Sequence, residues 1–308
     1  MDKGDFAGAA ELLPYVKEPI AFENMLILKR YAPMWPQIEQ AAGKHLAKAR
    51  ADAVAAAERE YGAAPNDHDV LANYVNALRH AGRFDDALAF LSRLPKTSED
   101  MSNADEGMGW TVNNVALALR DVHKEDEADR LFAMLNEAPI DKDYWRVSMK
   151  INRLEALVLD GKFTAALPLI EPTARTEGSP YADQLVRRLR FCTLNRLGKT
   201  AGADKYKAEL LAHAADAPGP TIDGLLCVGD TVSAEQVALT ALSNPDPDKR
   251  RNFEADFVRQ MQSQKLTGDD PSVWQGRWAE FRKRPQIAAA FDRLGRDIPP
   301  EFLADPKH

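Results

Sequence analysis

The stretch Gly82-Arg83-Phe84-Asp85-Asp86-Ala87-Leu88-Ala89-Phe90-Leu91 decides the fold, because the chain writes it more than once. Gly161-Lys162-Phe163-Thr164-Ala165-Ala166-Leu167 repeats its order of glycine, cation, phenylalanine and, five residues after the glycine, alanine. Gly198-Lys199-Thr200-Ala201-Gly202-Ala203 keeps the frame without the aromatic, and His123-Lys124-Glu125-Asp126-Glu127-Ala128 keeps it with histidine for glycine. Gly4-Asp5-Phe6 with Ala9 opens the chain on a further copy. One mechanism accounts for these positions. Glycine reaches the left-handed conformation that ends a helix. The aromatic plugs the corner, and the small alanine lets the next helix approach the last.

Outward from the turns, Ala87, Ala128, Ala166, Ala203 and Ala234 stand 41, 38, 37 and 31 residues apart. That is the range of two-helix repeats. The segments ahead of the turns carry helical period, as in Leu71, Tyr74, Val75 and Leu78, or Val112, Val115, Ala116 and Leu119. The pattern resembles the tetratricopeptide repeat (TPR) family. Its best copy runs from His68 to about Thr97, behind the link Ala63-Ala64-Pro65-Asn66-Asp67, and the likeness covers residues 1–245, strongest over 60–200. The period exceeds the family's usual length of about 34, and Arg153 and Arg190 stand where the family prefers an aliphatic residue. The resemblance implies an all-α, right-handed superhelical solenoid of TPR-like helical hairpins closed by a C-terminal helical cap. It divides the chain into N-terminal TPR-like helices over 1–62, a repeat array over 63–245 and a cap over 246–308.

Between these landmarks, residues 19–32 and the alanine-rich 37–61 read as helices separated by Pro33 and Pro36. Thr97 to Gly109 reads as a mobile polar loop. Breaks fall at Asp216-Ala217-Pro218-Gly219-Pro220 and Asn244-Pro245-Asp246-Pro247-Asp248. Helices follow near 249–265, 271–283 and 285–295, the last two carrying Trp274, Trp278, Phe281 and Phe291. A cap is the first reading of this aromatic segment and a small aromatic binding pocket the second. The chain opens on a turn and the second helix of a hairpin. That predicts a trimmed start with a leader removed upstream, hence a periplasmic or secreted protein, with a cytoplasmic one as the alternative.

Composition narrows function. Acidic residues number 47 and basic residues 40, for a net charge of −7, the wrong balance for gripping a phosphate backbone. No apolar run approaches the roughly 18–20 residues of a membrane span, so neither nucleic acid nor a bilayer is expected as partner. Two cysteines exclude a disulfide scaffold and a four-cysteine zinc site. Cys192 and Cys227 are 35 residues apart, close to one repeat. Buried free thiols are the first reading, and pairing, which needs Cα atoms within about 7 Å, the second. The six histidines are scattered without the spacing of a helix-borne zinc site, and no phosphate loop, dinucleotide fingerprint or nucleophile elbow is present. The expectation is therefore no enzyme, no metal and no cofactor.

An asparagine phase is the sharpest functional feature. Asn73, Asn114 and Asn152 each lie nine residues before a repeat turn, at Gly82, His123 and Gly161. They resemble the asparagine ladder with which some TPR superhelices hold the backbone of an extended peptide. The amide suits that task because it offers a donor and an acceptor together. Asn76, Arg79 and Asn113 belong to the same helices, and charge follows at Arg146, Lys150, Arg153, Arg187, Arg188 and Arg190. The lysines of the family's carboxylate clamp are not in matching places. The predicted peptide-binding set is Asn73, Asn76, Arg79, Asn113, Asn114, Asn152, Arg187 and Arg188, on a concave groove suited to an extended peptide with an acidic stretch. A protein-interaction scaffold is the leading function, a ligand-controlled regulator the alternative, and an enzyme or enzyme subunit the third reading.

Overall fold

A computed structural model describes residues 6–16, 18–137, 144–174, 178–199, 201, 203–262 and 275–302. Among these residues the protein is all helical, with eighteen α-helices and no strand. Four helices come first: α1 (Phe6–Glu11), α2 (Pro19–Ile27), α3 (Trp35–Ala42) and α4 (Ala47–Ala63). The 37–61 segment is thus not one helix. It breaks at Gly43, whose φ of +71° is followed by a left-handed Leu46.

Next come α5 (His68–His80), α6 (Phe84–Leu88), α7 (Ser98–Ser102), α8 (Glu106–Asp121), α9 (Glu125–Glu137), α10 (Tyr144–Leu159) and α11 (Phe163–Ala174). After them lie α12 (Pro180–Arg196), α13 (Ala203–Ala212), α14 (Pro218–Cys227), α15 (Thr231–Leu242), α16 (Pro247–Gln260), α17 (Gln275–Arg282) and α18 (Pro285–Leu294). Where the repeat phase divides the chain at 62/63 and 245/246, compactness divides it elsewhere. One unit comprises Met1–Met149 with Ile298–His308, and the other Lys150–Asp297.

Five helical hairpins share one turn. Gly82, Gly161, Gly198 and Gly229 take φ between +68° and +82°, and His123 takes +59°. In each, the N–H of the following residue reaches back to a carbonyl five residues earlier: Arg83 to Leu78, Lys124 to Leu119, Lys162 to Leu157, Lys199 to Leu194 and Asp230 to Leu225, all at 2.8–2.9 Å. These six-to-one bonds occupy carbonyls that a helix end leaves without partners. Five residues after the turn, Ala87, Ala128, Ala166 and Ala234 are fully buried. The expected copy at Gly4 and Asp5 lies outside the described residues, as do Thr200, Gly202 and the side chain of Ala203.

In the first unit α5 packs on α8 at very short range. A β-carbon on Gly107 would fall 2.5 Å from backbone atoms of His68 and Asp69. The Thr97–Gly109 segment is correspondingly helical for much of its length, not a loop. Thr97 and Asp100 form a reciprocal capping box at the start of α7, Met101 is fully buried, and Asp105 caps α8 by accepting from Met108 N–H. Arg146 donates to the carbonyls of Met101, Ser102 and Ala104 at the other end of α7. No described helix is long and apolar enough to cross a membrane.

In the second unit Cys192 and Cys227 form a disulfide, with Cα atoms 5.7 Å apart. The expectation of free thiols is overturned because α12 and α14 run side by side with both cysteines turned inward, and both are fully buried. Helices α17 and α18 bury Trp278, Phe281, Ile287 and Phe291. Trp274 lies outside the described residues.

Candidate binding groove

Three rungs, one helical turn apart along α12, join it to α14. Gln184 donates to Thr221 Oγ1 at 2.7 Å, Arg188 Nη1 donates to Asp223 Oδ2 at 2.9 Å, and the disulfide closes the third rung. Gln184, Arg188 and Cys192 follow one another at i+4, which lines them along one face of α12. Gly224 makes the approach possible, since a β-carbon there would meet Leu210 Cδ2 at 2.9 Å and Arg188 Cγ at 3.4 Å.

Arg188 is the centre of a buried charge cluster. Its Nη2 donates to Glu155 Oε1 at 2.6 Å, so one guanidinium serves two carboxylates. The Trp278 indole N–H donates to the other Asp223 oxygen, Oδ1, at 2.9 Å. Burial opposes the charge on Arg188, but Glu155 and Asp223 outweigh it and hold the guanidinium protonated above its ordinary range. For Asp223 burial wins: its carboxyl is raised above the usual value, with Arg188 and the indole N–H only partly offsetting the loss of solvent. Separating such a cluster is costly, because an arginine left buried without its carboxylates is destabilising by about 3–5 kcal/mol.

The cluster forms the floor of a groove of about 1130 Å³ within the second unit. Helices supply its walls in stripes at i, i+3 and i+4: Ser233, Gln236 and Val237 from α15, followed by Thr240 and Ala241, and Lys249, Asn252 and Phe253 from α16, followed by Asp256. Asn152 and Glu155 of α10 line it as well. Tyr181, 55% exposed, lines it from the first turn of α12. A groove of this size with mixed apolar and polar walls suits a ligand held by its side chains. Among the described residues no three histidine, cysteine or acidic side chains converge as metal ligands would.

The predicted site residues fall into both units. Asn73 is exposed and Asn76 half-buried on α5. Arg79 pairs with Asp121 at 2.5 Å. Asn113 and Asn114 are buried in α8, and the Asn114 amide donates to the Ala72 carbonyl of α5 at 3.1 Å. The three amides of one repeat phase therefore meet three environments: Asn73 solvent, Asn114 a neighbouring helix, and Asn152 the groove. Arg187 donates to Gln184 Oε1 at 3.3 Å, and Arg188 is the buried centre of the cluster. The basic end expected at Arg187, Arg188 and Arg190 is neutralised, Arg190 by Glu171 at 3.0 Å.

Compared with known proteins, the chain matches no family model, no curated protein and no solved structure. Function is therefore read from the groove. Sequence reading missed Tyr181, Glu155 and Asp223 as lining residues. A signal was present, since Arg188 and Asp223 are separated by the same 35 residues as the two cysteines and lie one turn before them.

Proposed function

We propose that this chain is a non-catalytic, TPR-like interaction scaffold that takes an extended segment of another polypeptide in the groove of its second unit. One observation carries the reading: a roughly 1130 Å³ groove lined by stripes from successive helices and floored by a charge cluster held in register. The repeated hairpin turn supports the TPR-like architecture. Asn152 lines this groove, whereas the Asn114 amide donates to the Ala72 carbonyl and serves the joint between α5 and α8. The buried disulfide favours an oxidising compartment, where such bonds persist. A periplasmic or secreted location follows as part of the proposal.

Panning a random heptapeptide phage library on the intact protein tests the reading. Enriched peptides are expected to lose binding to Gln236→Trp, which places a large ring into the groove from an exposed position on α15. No enrichment, or enrichment indifferent to Gln236→Trp, overturns it.

A further inference from the structure

We infer that the groove selects a cationic side chain, a lysine or arginine of the bound segment, seated at Glu155 beside Asp223. The inference rests on the peptide-binding reading above and adds the chemistry of the residue recognised.

Charge accounting leads there. The groove is lined by four acids, Glu155, Asp216, Asp223 and Asp256, and by three bases, Arg188, Lys249 and Arg259. Two of the acids have other partners: Asp256 pairs with Arg259, and Asp216 lies beside His213, which carries charge only when protonated. Among the described residues the floor then holds two carboxylates around one guanidinium, an excess of one negative charge. Depth decides which sign a ligand meets. The Arg188 side chain is 5% exposed, Asp223 18% and Glu155 32%. The cation lies behind and the anions lie in front.

Three of the floor's carboxylate oxygens have donors among the described residues. Asp223 Oδ1 takes the Trp278 indole N–H and Oδ2 takes Arg188 Nη1. Glu155 Oε1 takes Arg188 Nη2. Glu155 lines the groove, and among the described residues its Oε2 takes no hydrogen bond, which leaves an acceptor for an ammonium or guanidinium. Tyr181, largely exposed, offers apolar and aromatic surface for the stem of a long cationic side chain and its head. The countering Lys249 is exposed and stands seven residues, two turns of α16, before Asp256. An acidic peptide would bring like charge onto this floor. A basic one complements it.

The test uses four pools of acetylated, amidated heptapeptides, random except for a fixed central lysine, arginine, norleucine or glutamate, with binding to the intact protein read by biolayer interferometry. Lysine and arginine pools are expected to bind about tenfold tighter than norleucine, as one charge-assisted hydrogen bond implies, and glutamate weakest. Glu155→Gln keeps an acceptor for Arg188 and removes the excess charge, so it should erase the advantage of the cationic pools. Circular dichroism checks that the variant folds. If it does not, the salt dependence of wild-type binding decides, because the cationic pools alone should weaken between 50 and 500 mM salt, values chosen to span Debye lengths of about 14 to 4 Å. Equal binding of all four pools, or a preference for glutamate, overturns cation selection and leaves the groove reading standing. Pools that bind Gln236→Trp as well as wild type overturn both.

Discussion

Gly107 and Gly62 both sit within helices, yet opposite outcomes are expected from the same substitution. A β-carbon on Gly107 would press into the backbone of the first turn of α5 at 2.5 Å, while at Gly62 nothing lies within 4 Å. Gly107→Ala should therefore cost about 1–3 kcal/mol through overpacking, and Gly62→Ala should be neutral or stabilising by up to about 1 kcal/mol, because alanine loses less backbone entropy in a helix. Urea midpoints at constant slope measure both. Equal effects would mean that α5 and α8 do not approach as described. At the same junction, Asp105 is lowered below the ordinary carboxyl range: partial burial opposes its charge, but Met108 N–H and His68 prevail. A depressed pKa means stability that is present above the ordinary carboxyl value and lost as pH falls through the depressed one. Asp105→Asn keeps a capping oxygen and removes the charge. Wild type should exceed it by a few tenths to about 1 kcal/mol at neutral pH, with the gap closing in acid. A gap that persists at pH 2 would refute the electrostatic origin.

The hairpin turn is the element that the sequence announces most openly, and the reason is physical. A left-handed residue, a six-to-one bond and a fully buried alanine are local demands, so each leaves its own letter: glycine at 82, 161, 198 and 229, and buried alanine at 87, 166 and 234. His123 occupies the same conformation with a β-carbon, at φ +59°. His123→Gly should stabilise the α8–α9 hairpin by about 1 kcal/mol, and Gly161→Ala should destabilise α10–α11 by a similar amount. Thermal unfolding of the two variants checks the pair, and a loss of stability in His123→Gly would show that the imidazole contributes more than its backbone costs. The groove was far less legible. Arg187, Arg188 and Arg190 look basic in a row, but the carboxylates that neutralise Arg188 come from α10 and α14, 33 and 35 residues away. Gly107 and Gly109 look like a loop for the same reason. Their role is set by what approaches them, Asp69 and Trp145, from 38 and 36 residues away.

On the scale of the whole chain, the disulfide belongs to one compact unit and crosslinks the two helices that hold the groove floor. Its contribution comes through the unfolded chain: closing a loop of about 35 residues removes entropy equivalent to roughly 3–4 kcal/mol at 25 °C. Both sulfurs are fully buried, so a reductant should act only as fast as this region opens. Dithiothreitol is accordingly expected to leave the folded protein oxidised for long periods and, once reduction is complete, to lower stability by about that amount. Hydrogen exchange should localise the loss. Amides of α12 and α14 should exchange faster after reduction, while those of α5 and α8, in the other unit with a core of its own, should keep their protection. Uniform loss across both units would mean that the crosslink sustains the fold as a whole. The compartment is tested by the same bond: alkylation with a mass-tagged maleimide in intact source cells should leave Cys192 and Cys227 unlabelled until denaturation and reduction. Labelling after denaturation alone would mean that the cysteines are thiols in the cell, and the proposed periplasmic or secreted location would fall with the bond.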